Sequence, residues 1–214
     1  MILDFDDFYT TSPVPWDIGE PQPAVVALER AGRMSGAVLD VGCGLGDNAI
    51  YLAQRGYRMT AIDAAAPAID LARRRAVARG VDVEFMVADA TRLDEFGGRF
   101  DSVLDSALYH CLSDGQRAQY VAALHRATKP EALLSMLCFS DETIGGLPAP
   151  FPVSQSSIRD TLTAGGWAVT DLTAGEVLAV AESSRDFLTQ YPNVVIDAEG
   201  RIPMPVWVIQ ARRV

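Results

Sequence analysis

Cysteine and histidine are scarce in this chain of 214 residues, with Cys43, Cys111 and Cys138 as the three cysteines and His110 and His125 as the two histidines. The cysteines stand far apart and form no C-x-x-C pair, so neither a disulfide framework nor a metal centre is expected. Long apolar runs are missing too. No stretch approaches the roughly 18 apolar residues of a membrane span, and the acidic start MILDFDDF lacks the basic opening of a secretory signal. No membrane partner and a cytoplasmic location are therefore expected. Positive charge is in deficit, 18 Lys and Arg against 28 Asp and Glu giving a formal charge of −10. That balance opposes broad electrostatic capture of nucleic acid and favours a small-molecule partner. No segment identifies a subunit interface. With 49% hydrophobic and 21% charged residues, the chain suffices for one large domain with a buried core.

What is present centres on VLDVGCGLGDNAIYL, Val38 to Leu52. Val38 to Val41 predicts a buried strand, Gly42 to Gly46 a glycine-rich turn, and Asp47 onward a helix with Ala49, Leu52 and Ala53 on its apolar face. Glycines belong where backbone turns sharply and approaches a bound molecule, and a helix N-terminus adds unpaired N–H groups. The spacing is not that of a dinucleotide turn, because Asp47 stands where the third glycine of G-x-G-x-x-G would be. Asp40 adds a carboxylate, which suits a cationic amino group better than a pyrophosphate.

Around this unit the chain alternates strand and helix. Residues 1–36 hold Phe5, Phe8, Tyr9 and Trp16 among acids and prolines, predicting an arm that leads into a helix, Gln22 to Ala31, and covers the active site. Strand signals follow at Arg58 to Ile62, ending on Asp63, at Val83 to Val87, followed by Asp89 and Ala90, at Phe100 to Leu104, followed by Asp105, and at Ala132 to Phe139. Pro67 opens a helix that Gly80 stops, its Arg73, Arg74 and Arg75 reading as a solvated face. Leu93 to Arg99 is too short for a full crossover helix. Ser113 or Asp114 caps the next helix, and Ser154 or Gln155 the one that Gly165 and Gly166 end. Beyond it, strand signals are weaker: Trp167 to Leu172, Glu176 to Val180 and Val206 to Ala211, with a helical piece from Ser183 to Tyr191. The order predicts an α/β fold, a mostly parallel seven-stranded Rossmann-like sheet with an antiparallel final strand and helices on both faces. Ligands gather at the carboxyl ends of such strands, where the glycine turn, Asp63, Asp89 and Asp105 fall. A carboxylate in the place of Asp63 can accept both hydroxyls of a ribose, and one at Asp89 can reach an adenine edge.

On DVGCGLG, Asp63, Asp89 with Ala90, and FDSVLDSALYHCL, the sequence resembles the class I S-adenosylmethionine-dependent methyltransferases over residues 38–214. WDIGEPQP with DSALYHCL most resembles bacterial small-molecule members, among them those methylating hydroxyquinolones and related heterocyclic toxins, and more distantly the thiopurine methyltransferases. The resemblance implies S-adenosyl-L-methionine as cofactor and S-adenosyl-L-homocysteine as product. It implies the methionine end near Asp40, Gly42 and Gly44 on the turn that Gly46 completes, ribose on Asp63 beside Ala64, and adenine near Asp89 and Ala90, with Trp16 closing the pocket. Residues 37–214 would be the catalytic domain, with covering segments near 140–157 and 173–203. Two departures stand out. KPEA, Lys129 to Ala132, replaces a proline-glycine-glycine turn, and DSAL replaces an N-P-P-Y motif, which disfavours nucleic-acid bases.

The activity so implied is methyl transfer to an oxygen or ring nitrogen of a small aromatic or heterocyclic acceptor. A carbon or thiol acceptor in a quinone-like or other small metabolite is the enzymatic alternative, and a non-catalytic cofactor-binding regulator the other. His110, with an ordinary pKa near neutrality, is the candidate base, and Asp105 is a candidate for binding the cofactor's amino end, orienting the nucleophile or accepting its proton. Tyr109 is a candidate for stacking on the acceptor, with Phe8, Tyr9, Phe139, Phe151 and Trp167 as further pocket candidates; His125 reads as structural.

Overall fold

The computed structural model describes residues 9–10 and 14–214, so Phe5 and Phe8 lie outside the described residues. Helix α1 (Pro23–Arg30) precedes β1 (Ala37–Val41), α2 (Asp47–Gln54), β2 (Arg58–Asp63), α3 (Ala66–Ala78) and β3 (Glu84–Val87). A single 3₁₀ turn, Asp94–Phe96, stands in for the crossover helix before β4 (Phe100–Ser106). Helix α4 (Asp114–Ala127), β5 (Thr128–Phe139), the short β6 (Thr143–Ile144) and β7 (Leu147–Pro148), α5 (Gln155–Ala164), β8 (Trp167–Val180), α6 (Arg185–Leu188) and β9 (Arg201–Arg213) complete the chain. Seven strands form one sheet, as expected, in the order β3-β2-β1-β4-β5-β9-β8, which the sequence reading did not specify. The first five run parallel, and β9 lies antiparallel between β5 and β8.

Helices cover both faces, so the central strands read as continuous apolar runs. Val38, Leu39 and Val41 of β1 are fully buried. One layer joins the sheet to Tyr120 and Leu124 of α4 and Ile158 and Leu162 of α5, and the other to Val25, Ala49, Leu52, Ile69 and Ala72 of α1 to α3. The helix starts follow local chemistry. Ser113 and Gln116 form a capping box at α4, and the Ser154 hydroxyl accepts from the Ser157 N–H at α5.

Four features differ from the sequence expectation. Strand β8 is one element, not two pieces, paired with β9 from Trp167↔Arg213 to Val180↔Arg201. The weak Thr173-Ala174-Gly175 signal is overridden by that pairing. The β9 prolines, Pro203 and Pro205, fall where β9 has left β5 and pairs with β8 alone, the edge setting in which proline is tolerated. Residues 173–180 therefore belong to the sheet, and the excursion from it is 181–200. KPEA is a protrusion within β5, between the pairs Phe100↔Thr128 and Ser102↔Leu133, with Glu131 at φ 64° and its carboxylate 3.1 Å from Arg212. Arg75 is no solvated side chain, since it bridges Asp17 and Asp47 and so ties the arm to the start of α2. Among the described residues no helix is long and apolar enough to cross a membrane.

Gly46 caps α2 at φ 81°, and a Cβ there would lie 2.9 Å from the Phe85 ring and 3.0 Å from Ala72 Cβ. Left-handed strain and overpacking thus act together. Gly46→Ala is expected to lose about 2–4 kcal/mol of stability, read as a lowered midpoint in thermal or urea denaturation.

Candidate functional site

The C-terminal ends of β1 to β4 open into a cavity of about 1540 Å³, whose described walls include the glycine turn, the arm and the end of β8. Its floor is fixed by backbone. The Gly42 and Cys43 N–H groups both donate to the Ile62 carbonyl, at 2.8 and 2.9 Å. Asp63, at the end of β2, accepts from the Gly44 N–H through one carboxylate oxygen and from the Ala65 N–H through the other, each at 2.9 Å. Two donors hold this carboxylate while it still faces the cavity beside Ala64. At the end of β3, Asp89 accepts from the Thr91 N–H and hydroxyl at 2.8 Å, between the small Ala88 and Ala90 of the cavity wall.

The arm closes this end. The Val180 N–H donates to the Pro15 carbonyl at 2.7 Å, while Gln22 exchanges two side-chain hydrogen bonds with the Leu178 backbone. Trp16 Nε1–H donates to the Tyr9 hydroxyl at 3.1 Å, their rings edge to face. A Cβ at Gly44 would fall 3.0 Å from that hydroxyl and 3.6 Å from the Trp16 nitrogen, so only bare backbone fits beneath the arm. Burial, then the Asp63 charge, keeps the Tyr9 phenol protonated by raising its pKa.

Two carboxylates expected at the cavity lie beneath it. Asp40 in β1 is 1% exposed, absent from the cavity wall, and neither of its oxygens completes a hydrogen bond. Burial, with Asp105 and Asp63 adding repulsion, pushes its pKa up to about 8. Asp105 in β4 is fully buried and consumed locally. It accepts from the Leu108 N–H and the Tyr120 hydroxyl, each at 2.8 Å, and from the Tyr109 N–H at 3.4 Å. Burial raises its pKa to about 6 against those donors. Its place in a strand core removes it from direct contact with an acceptor, contrary to the catalytic expectation.

The 3₁₀ turn Tyr109–Cys111 divides its residues between core and cavity. Tyr109 points inward and is fully buried against Tyr120, so it does not line the cavity. Trp167 is likewise core, its ring nitrogen donating to the Val121 carbonyl at 3.4 Å. His110 does reach the cavity, with its ring stacked on Phe139 at 3.9 Å. The Phe139 N–H donates to His110 Nδ1 at 3.2 Å, which leaves the ring proton on Nε2. Burial, then the Arg117 charge, pushes the His110 pKa down to about 3. A neutral ring whose free nitrogen already carries a proton is a hydrogen-bond donor and a poor base, again contrary to the expectation. Phe151, 40% exposed, lines the rim with Pro150 and Pro152.

Sequence reasoning missed Leu108, Cys111, Arg117, Phe187 and Met204 on this wall. The Ser113 cap was the usable signal for Arg117, because a helix starting at Asp114 carries residue 117 one turn in, back toward the 109–111 turn. Charged groups are spread along the cavity wall. Asp63 and Asp89 stand at the strand ends, with Asp17 and Asp47 held by Arg75 beside them, and the half-buried Arg117 stands with His110 on the wall after β4; Glu20, Glu182, Arg185 and Asp186 also line the cavity.

The carboxylates, apolar alanines and glycine floor at the strand ends fit an adenosine bearing a cationic amino-acid tail. Residues 38–131 match the methyltransferase domain family. The 2-heptyl-1-hydroxyquinolin-4(1H)-one methyltransferase of Mycobacteroides abscessus is 34% identical over 202 residues, 93% of this chain and 88% of its own. A structure solved for the conversion of a disulfide bond into a thioacetal group during echinomycin biosynthesis superposes with a TM-score of 0.82 at 36% identity, covering 100% of this chain and 93% of that one. The magnesium protoporphyrin IX methyltransferase of Synechocystis, solved with bound S-adenosylmethionine, shares the fold at a TM-score of 0.59 and 20% identity over 89% of this chain and 76% of its own. Matched in fold, along its length and through its glycine turn, the chain belongs to the S-adenosylmethionine-dependent methyltransferases.

Proposed function

We propose that this enzyme methylates an oxygen or ring nitrogen of a small aromatic or heterocyclic acceptor, with residues 37–214 as the catalytic domain and the arm as its cover. The observation that carries this is the continuity of one cavity from the strand-end carboxylates to the wall of His110 and Phe139, with Phe151 at its rim. S-adenosyl-L-methionine supplies a methyl group on a sulfonium and leaves as neutral S-adenosyl-L-homocysteine. Asp63 and Ala64 would hold its ribose, Asp89 and Ala90 its adenine, and Gly42, Gly44 and Gly46 its amino-acid tail, with Trp16 and Tyr9 above. Asp40 acts from below as a buried countercharge and Asp105 as a clamp on the 108–109 backbone, with His110 donating Nε2–H to the acceptor. Orientation and exclusion of water then provide the rate gain. Phe139 and Phe151 offer flat apolar surface to a ring.

The similarity to the echinomycin-pathway structure favours a second reading, a sulfur acceptor. Incubation with labelled cofactor and a panel of hydroxyquinolones, phenols, ring-nitrogen heterocycles, thiols and disulfides decides between them, with the modified atom identified by mass spectrometry. Methylated oxygen or nitrogen is expected, and exclusive sulfur methylation overturns the first reading.

Asp63→Asn keeps the shape and removes the charge that two backbone donors orient. Affinity for S-adenosyl-L-homocysteine by calorimetry is expected to fall about tenfold to a hundredfold, the usual loss for a charged hydrogen-bonding group. At His110, the Ala substitution removes the donor and is expected to lower kcat/KM about a hundredfold, whereas Gln keeps a donor and most of the activity. The wild-type rate profile is expected to show no limb from this histidine between about pH 5 and 8, and a limb that vanishes in the Ala variant would restore His110 as base.

Asp40 has a folded-state pKa of about 8 against an ordinary 3.8. The contribution of such a group is fully present below its unfolded pKa and is lost as pH rises through the folded one. Wild-type protein without cofactor is therefore expected to lose stability relative to Asp40→Asn between pH 4 and pH 8, by a few kcal/mol. Paired denaturation curves across that range give the difference directly.

A further inference from the structure

We propose that the acceptor is bound as an oxyanion, selected by the positive charge of Arg117 beside the His110 Nε2–H on the cavity wall after β4. This rests on the small-acceptor reading above and specifies the ionic form the site takes. Three observations converge on it. First, Arg117 lines the cavity with 14% of its side chain exposed, while its anionic partner Asp114, 3.1 Å away, is 95% exposed and outside the wall. Its other bonds run to the neutral Tyr109 and His110 carbonyls, at 3.3 and 3.4 Å. The charge is fixed in place without being neutralised on the cavity side. Second, among the described residues no buried carboxylate forms an ion pair with Arg117; the buried Asp105, whose charge acts on the same two thiols, is bonded to the Leu108 and Tyr109 N–H groups and the Tyr120 hydroxyl. The groups packed around Arg117 are the Tyr109 ring, 5.2 Å beneath the guanidinium, His110 and Cys111 on the turn, Cys138 on β5, and the exposed Asp114 on its own helix. Burial and the Asp105 charge hold both thiols protonated by raising their pKa values, and burial holds His110 neutral. Third, His110 cannot take the acceptor's proton, because Phe139 occupies Nδ1 and the ring proton sits on Nε2. An acidic hydroxyl on a heterocycle would instead lose its proton to solvent, and its electron pair would be free for methyl transfer.

An opposite charge within a few ångströms lowers the pKa of an acid by about one unit or more. The full chain loaded with S-adenosyl-L-homocysteine is titrated with 2-heptyl-1-hydroxyquinolin-4-one, and the ultraviolet spectrum of the bound probe is followed against pH. The non-hydroxylated 2-heptylquinolin-4-one serves as uncharged control. The bound probe is expected to ionise at lower pH than the free one, with about a tenfold larger anion-to-neutral ratio at a given pH. Arg117→Met is expected to abolish that shift and weaken the hydroxylated probe about tenfold while leaving the control within about twofold. Arg117→Lys, which keeps the charge, should keep most of the shift. If the Met variant does not fold, Arg117→Gln takes its place. An unshifted ionisation in the wild type, or a shift that survives charge removal, overturns the proposal. Failure of either quinolone to bind at all, with thiols or disulfides methylated in its place, overturns the acceptor reading itself and this inference with it.

Discussion

The bond from the Gly44 N–H to Asp63 is the tie on which the site depends. It joins the turn after β1 to the last residue of β2, and the second carboxylate oxygen, held by the Ala65 N–H, fixes the start of α3 from the same side chain. Parallel pairing brings the two strand ends level, with Val41 opposite Ile62. Donation from Gly42 and Cys43 to Ile62 then closes the floor. The two backbone donors tie the direction of Asp63 to the fold itself. The arm completes the unit from above, where a glycine at 44 leaves room for the Tyr9 hydroxyl and the Trp16 ring nitrogen.

Beneath that floor lie two buried acids, Asp40 and Asp105. Burial raises the pKa of both, and the charges of Asp105 and Asp63 add to the rise at Asp40. Asp105 is compensated by three donors, one from Tyr120 and two from the turn it shapes, whereas Asp40 completes no such bond. A buried polar group without a partner costs about 1–3 kcal/mol, a cost that a cation placed above the glycine turn would reduce. On the proposed role of Asp40 as countercharge, stability and cofactor binding are linked through the same residue.

The fold was legible because its signals were local and repeated. Buried β-branched runs ended in glycine or acid, Ser113 and Ser154 marked helix starts, and the short Leu93–Arg99 interval forced a reduced crossover. What was illegible depended on distant pairing. Nothing near Gly175 shows that β9 will carry β8 through it, and nothing in Arg75 shows that Asp17 and Asp47 will converge on it. At the site, residue type and strand-end position identified Asp63, Asp89 and the glycine turn, all of which reach the cavity. They did not separate a residue that faces the cavity from its neighbour that faces the core. In a 3₁₀ turn of about three residues per revolution, that choice falls on single positions, which is why Tyr109 turns inward and His110 outward.

His110 shows how one backbone bond changes a chemical assignment. By residue type a cavity histidine is the natural base, yet β5 presents the Phe139 N–H to one ring nitrogen and the Phe139 ring to its face, so both tautomer and orientation are set by an element that touches no proton of the reaction. Arg117 reinforces this, since its charge opposes protonation of the same ring. A base and a cation side by side would work against each other. A neutral donor and a cation side by side both favour negative charge on a third atom. On the proposed reading, the wall of His110 and Arg117 suits an electron-rich acceptor and the strand-end carboxylates Asp63 and Asp89 suit a sulfonium cofactor.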